Sequence, residues 1–118
     1  MATLSKTMRR GVVETLGGPY TQNTTEPLQW NLPTDAAGDQ VFAWQTVKNA
    51  GGGNTFTSIT VTLNASLDGA NFSQYDLSTA ITGEIRFPSG RPVTIQIVVS
   101  NLVVNAGTPS ITVLGIVK

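Results

Sequence analysis

The sequence predicts an all-β protein, an antiparallel β-sandwich or small barrel of about eight strands with an extended N-terminal arm. Three observations lead there. Apolar residues alternate with polar ones at a period of two over short stretches, Gly, Pro, Asn and Asp cluster between those stretches, and helical periodicity is nowhere sustained. At 118 residues the chain has room for one domain. Residues 1–11 read as the arm and 12–118 as the domain.

The arm carries Lys6, Arg9 and Arg10 and no acid, so the remainder of a neutral chain carries the balancing negative charge. Strands are expected at 12–16, 27–32, 41–47, 55–67, 72–77, 84–87, 93–104 and 110–117. In 55–67, Ile59, Val61 and Leu63 share one face and Ser58, Thr60 and Thr62 the other, so one face meets a core and the other is polar but uncharged. Asp68 and Gly69 turn the chain, because Gly supplies the positive φ of a tight or bulged turn. Phe72, Tyr75 and Leu77 return from it. Near the C-terminus, Val93, Ile95, Ile97 and Val99 alternate with Thr94, Gln96 and Val98. A loop over 105–109 follows, and Ile111, Val113 and 114–117 come back. The last strand is apolar on both faces near its end, which suits a strand central in a sheet or one that covers a partner. Residues 17–25 have no period and read as a loop or an arm laid across a neighbour; 50–54 read as a flexible tip.

Composition removes several chemistries. The chain has no Cys and no His, which excludes Cys/His zinc sites, Ser-His-Asp triads and thiol nucleophiles. Seven basic and seven acidic side chains make up 12% of the residues, against about a quarter in an ordinary protein. A neutral domain with three clustered cations lacks a phosphate-tracking stripe, so no nucleic-acid partner is expected. No run of about 18 apolar residues would span a membrane, and residues 1–10 lack the apolar core of a signal peptide, so a product made in a cytoplasm is expected. The glycines at 51–53 are followed by neither Lys-Ser nor Lys-Thr, which removes a phosphate loop.

The acid pairs to weigh are Asp35 with Asp39 and Asp68 with Asp76. A glycosidase needs two carboxylates flanking a groove. Asp68 is explained by its turn, Asp76 ends a strand, and Asp35 and Asp39 sit in a loop where Asp caps its own backbone. Asp and Asn oxygens leave a calcium site open, though without EF-hand spacing. No catalytic residue, metal or cofactor is expected. Trp30 and Trp44 lie in alternating runs and read first as core, with a sugar-stacking or interface role as the alternative.

The stretch Thr60-Val-Thr-Leu-Asn-Ala-Ser-Leu-Asp-Gly-Ala-Asn-Phe-Ser-Gln-Tyr75 resembles a module of bacteriophage virion proteins, in which an alternating strand leads into Ser-x-Asp-Gly-x-Asn-aromatic on a small β-sandwich. Ser66, Asp68, Gly69, Asn71 and Phe72 match, with Phe where the family often has Trp. Arg91-Pro-Val-Thr-Ile-Gln-Ile97, Asn101, Gly107 and the valine-rich final strand are similar to the same group, so the likeness covers about 55–117. It implies a non-enzymatic structural protein of the virion, chiefly a capsid decoration (cement) protein that strengthens contacts between capsid subunits. Its partners would be the major capsid protein or other virion subunits, and copies of itself in a trimer or dimer. A neck, tail or fibre component is the alternative within that class, and a carbohydrate-binding module with Trp30, Trp44 or Tyr75 exposed in a row is the alternative outside it. Lys6, Arg9 and Arg10 on the leader and Tyr20 and Gln22 in 17–25 are the expected partner contacts, and removing residues 1–10 is expected to leave the domain folded but weaken attachment.

Gly69→Val is expected to lower the melting temperature, because a β-branched residue is strained at positive φ. An unchanged melting temperature would show that the turn is misassigned.

Overall fold

A strand that alternates strictly needs a second layer to cover its apolar side, and the chain supplies one. The computed structural model describes residues 4–33, 41–49, 53–90 and 92–118. Among these the strands are β1 (Leu4–Thr7), β2 (Glu14–Tyr20), β3 (Thr24–Thr25), β4 (Leu28–Asn31), β5 (Phe42–Asn49), β6 (Thr55–Ser66), β7 (Ser73–Ser78), β8 (Gly83–Arg86), β9 (Thr94–Ala106) and β10 (Ser110–Val117). They form a six-stranded sheet in the order β1-β4-β9-β6-β7, with β3 also on β9, and a four-stranded sheet in the order β2-β10-β5-β8. The two sheets make an all-β sandwich. Phe56, Ile59, Val61 and Leu63 of β6 and Ile95, Ile97 and Val99 of β9 fill the core from one side. Leu16, Trp44, Ile111, Val113 and Val117 fill it from the other.

All eight expected strands are present, with ends shifted by a few residues. The apolar final strand is central in its sheet: β10 pairs with β5 on one side and β2 on the other, and every second residue of it is buried. Two regions depart from expectation. Residues 17–25 are not a loop, since β2 runs on to Tyr20 and β3 follows. The Gly17-Gly18-Pro19 sequence looks like punctuation, and the Gly18–Pro19 peptide is cis. An edge strand bonds on one side only, so it accommodates a proline and a register shift against β10. Residues 50–52 of the expected tip lie outside the described residues.

The leader is the second departure. Described residues 4–10 belong to the sandwich and are not an extended arm. β1 adds to β4 in parallel, with Leu4 opposite Leu28 and Thr7 opposite Asn31. The Met8 N–H donates to the Asn31 carbonyl at 2.8 Å, and the Met8 side chain is 1% exposed in the core. The chain then crosses to the other sheet, where Arg10 bridges Val117 and the Gly11 N–H donates to the Val117 carbonyl at 2.7 Å. Space for this crossing is made at Gly115, where a Cβ would lie 2.7 Å from Leu16 Cδ1 and 3.4 Å from Met8 Cε. One buried apolar side chain among polar neighbours has no periodicity to announce it, yet it fixes the segment. Removing the leader would uncover the core, so the expectation of a domain indifferent to its loss does not hold.

Met8→Ala is expected to cost about 2–4 kcal/mol, read as a lower midpoint in urea, while Met8→Leu stays within about 1.5 kcal/mol of the parent. Equal midpoints for Met8→Ala and the parent would place Met8 outside the core.

Candidate functional site

The residues expected to bind partners are spread over the molecule. Lys6 lies on the exposed edge strand β1, with Nζ 5.9 Å from the centroid of the Trp30 ring. Arg9 pairs with Glu14 at 2.9 Å, with its own side chain 71% exposed, and an ion pair so open to water adds little stability. Arg10 is half-buried beside Val117. Gln22 is exposed between β2 and β3, and its carbonyl accepts from Thr24 Oγ1. Tyr20 does not serve a surface. It is 7% exposed, and its hydroxyl donates to Glu26 Oε1 at 3.0 Å. Burial first, and then the Glu26 carboxylate, push its pKa well above the usual phenol value. The polar composition of 17–25 concealed this inward-facing ring.

Asp68 and Gly69 form the turn between β6 and β7. Ser66 Oγ accepts from the Asp68 and Gly69 N–H groups, and Asp68 Oδ1 accepts from the N–H groups of Ala70 and Asn71, each at 2.9 Å. These donors, Asn71 foremost, hold the exposed carboxyl well below the ordinary range. Gly69 has φ +78° with open space around it, so only backbone strain opposes a side chain there.

Asp76 is partnered by Arg86 and Trp44 and not by Asp68. Its Oδ2 accepts from Trp44 Nε1 at 2.8 Å and Arg86 Nε at 2.9 Å, and Oδ1 accepts from Arg86 Nη2 at 2.9 Å. This fork ties β7 of one sheet to β5 and β8 of the other. Burial alone would raise the Asp76 pKa, but Arg86, Trp44 and the Leu77 N–H outweigh it and bring it below the usual value. Asp35 and Asp39 lie outside the described residues. Among the described residues, no three carboxylates gather where they could hold a metal ion.

Both tryptophans are core residues, with Trp30 4% and Trp44 1% exposed. Trp30 Nε1 donates to the Leu16 carbonyl at 2.9 Å across the sandwich. Tyr75 is half-buried, and its hydroxyl donates to the carbonyls of Ser89 and Gly90. A row of exposed rings, as a sugar platform requires, is not built from these three.

The surface that stands out is the outer face of the four-stranded sheet. Cross-strand register places Thr15, Leu114, Gln45 and Ile85 in one row, and Ile116 opposite Ala43 in the next. Val13, Val41 and Phe87 extend it beyond the strand ends. All of these but Thr15 line a shallow depression of about 430 Å³, bordered by Lys118. Val13, Val41, Ile85 and Phe87 are 53–73% exposed. The other sheet's outer face is more polar, since β6 and β9 turn Ser58, Thr60, Thr62, Asn64, Gln96 and Ser100 outward, with Val98 among them and Val103 and Val104 exposed toward the end of β9. Sequence gave one signal of the apolar face, the double-sided apolar end of β10. Val13, Val41 and the Ile85/Phe87 pair come from three separate segments that only the topology assembles.

Comparison with protein-family models, curated proteins and solved structures finds no match.

The depressed Asp76 pKa sets an acid limit on the Arg86 fork. Its stabilisation is present above roughly pH 4 and is lost as pH falls toward the lowered folded value. Asp76→Asn is expected to cost about 1–3 kcal/mol at pH 7 in urea unfolding and to flatten the loss of stability below pH 4. An unaltered acid limb in the variant would assign that limb to other carboxyls.

Proposed function

We propose that this chain is a non-enzymatic structural subunit of a bacteriophage virion, chiefly a capsid decoration protein that strengthens contacts between capsid subunits after assembly in the bacterial cytoplasm. The observation that carries the reading is the apolar outer face of the four-stranded sheet. A monomer in water seldom leaves such a surface uncovered, and nothing within the described fold covers it. The few charges and the Thr/Asn/Ser face opposite suit a molecule whose sides rest on neighbours. The virion-like Ser66-x-Asp68-Gly69-x-Asn71-Phe72 turn points to the kind of particle. In an array of many copies each contact can be modest, because simultaneous attachment multiplies the total affinity.

In this reading the exposed Lys6, Arg9 and Gln22 touch the major capsid protein, and Arg10 supports them from the crossing. Tyr20 has no part in it. A neck, tail or fibre component would use the same sandwich, and the number of copies separates the two.

Quantitative mass spectrometry of particles released from cells that carry the gene is expected to find the chain in numbers on the order of hundreds per particle, as a repeated shell position requires. A ring-sized number would move it to the neck or tail. Absence from the particles would end the virion reading.

A further inference from the structure

We infer that the outer face of the four-stranded sheet is the contact between two copies of this chain, related by a two-fold axis that passes near Gln45. This deepens the reading above by naming the neighbour, and it rests on that reading only in treating the face as a contact.

Four features of the face favour a second copy. The first is charge. Val13, Ala43, Ile85, Phe87, Leu114 and Ile116 are uncharged and the one charged lining residue, Lys118, stands at the rim, so two copies meet with little repulsion and a foreign partner finds a single cation to select. The second is the polar group within it. Gln45 lies between Leu114 and Ile85 in the cross-strand row. A primary amide carries both donor and acceptor, so it satisfies an identical amide across a two-fold axis. A wholly apolar occupant would leave it unpaired.

The third feature is shape. The face has both a hollow of about 430 Å³ and a projecting Phe87 ring, 73% exposed, at its border. Knob and hole on one surface are what a self-complementary contact requires, because each copy's ring enters the other's hollow. The fourth is size. Val13, Val41, Ile85 and Phe87, each more than half exposed, carry the apolar surface from the β2 edge across β10 and β5 to the β8 edge, the full width of the sheet. Two such sheets would pack face to face at about 10 Å, the spacing of any β-sandwich.

The test is the mass of the full chain in solution by light scattering and sedimentation equilibrium, at concentrations up to about 100 μM. The parent is expected at twice 12.4 kDa. Gln45→Glu and Gln45→Lys each place like charges across the axis and are expected to weaken the pair on the order of a hundredfold, giving single chains with an unchanged circular dichroism spectrum. Mixed in equal amounts, the two are expected to re-form a two-chain species. Val103→Glu, on an exposed residue of the other sheet, leaves the parent mass unchanged. A single-chain parent overturns the inference, as does a three-chain parent, or a mixture of the two Gln45 variants that stays monomeric. A monomer still counted on particles would sink the dimer and leave the virion reading standing. A dimer absent from particles would do the reverse.

Discussion

Two indole N–H groups hold this sandwich in register, and much of the rest follows from where they must go. A tryptophan ring fills a core well but brings a donor that is costly to bury unpaired. Trp30 belongs to the six-stranded sheet and donates to the Leu16 carbonyl on β2; Trp44 belongs to the four-stranded sheet and donates to Asp76 on β7. Each reaches an edge strand of the opposite sheet. The edges are therefore placed by the rings of the core as well as by their own ladders. The Arg86 fork on Asp76 closes the side where β7 and β8 would otherwise part.

Much of the architecture was legible because period-two alternation is a direct image of a half-buried strand. The Ile59, Val61, Leu63 face, the Asp68-Gly69 turn and the apolar final strand all follow from residues next to one another in sequence. What escaped reading depends on residues far apart. β1 has four exposed residues and is defined by backbone pairing with β4, so no side-chain pattern marks it. Met8 is a lone apolar residue among cations. Asp76 finds Arg86 ten residues away and Trp44 thirty-two away, a meeting that only the sheet order arranges. Tyr20 is buried where the composition of 17–25 predicts a surface residue, because edge strands tolerate the Gly and Pro that elsewhere signal loops.

The candidate site divides in the same way. Charge clusters are visible in a linear sequence and invite a functional reading, yet Lys6 lies on an edge strand and Arg9 and Arg10 on the crossing between sheets. The apolar face was half visible, in the strand that is apolar on both sides. Two explanations for that strand were open, a central position and a covered surface. They are compatible: its inward residues make the core and its outward ones, Leu114 and Ile116, remain for a neighbour.

The meeting of Met8 and Arg10 with Gly115 and Val117 also has a consequence for synthesis on the ribosome. The early segment cannot be seated until a strand roughly a hundred residues later has emerged, which at ordinary elongation rates means a wait of about 5–20 s. During that interval Met8 and Leu16 lack the β10 residues that pack against them. Apolar surface left open on a nascent chain is what chaperones engage, and here the last strand is needed to cover it.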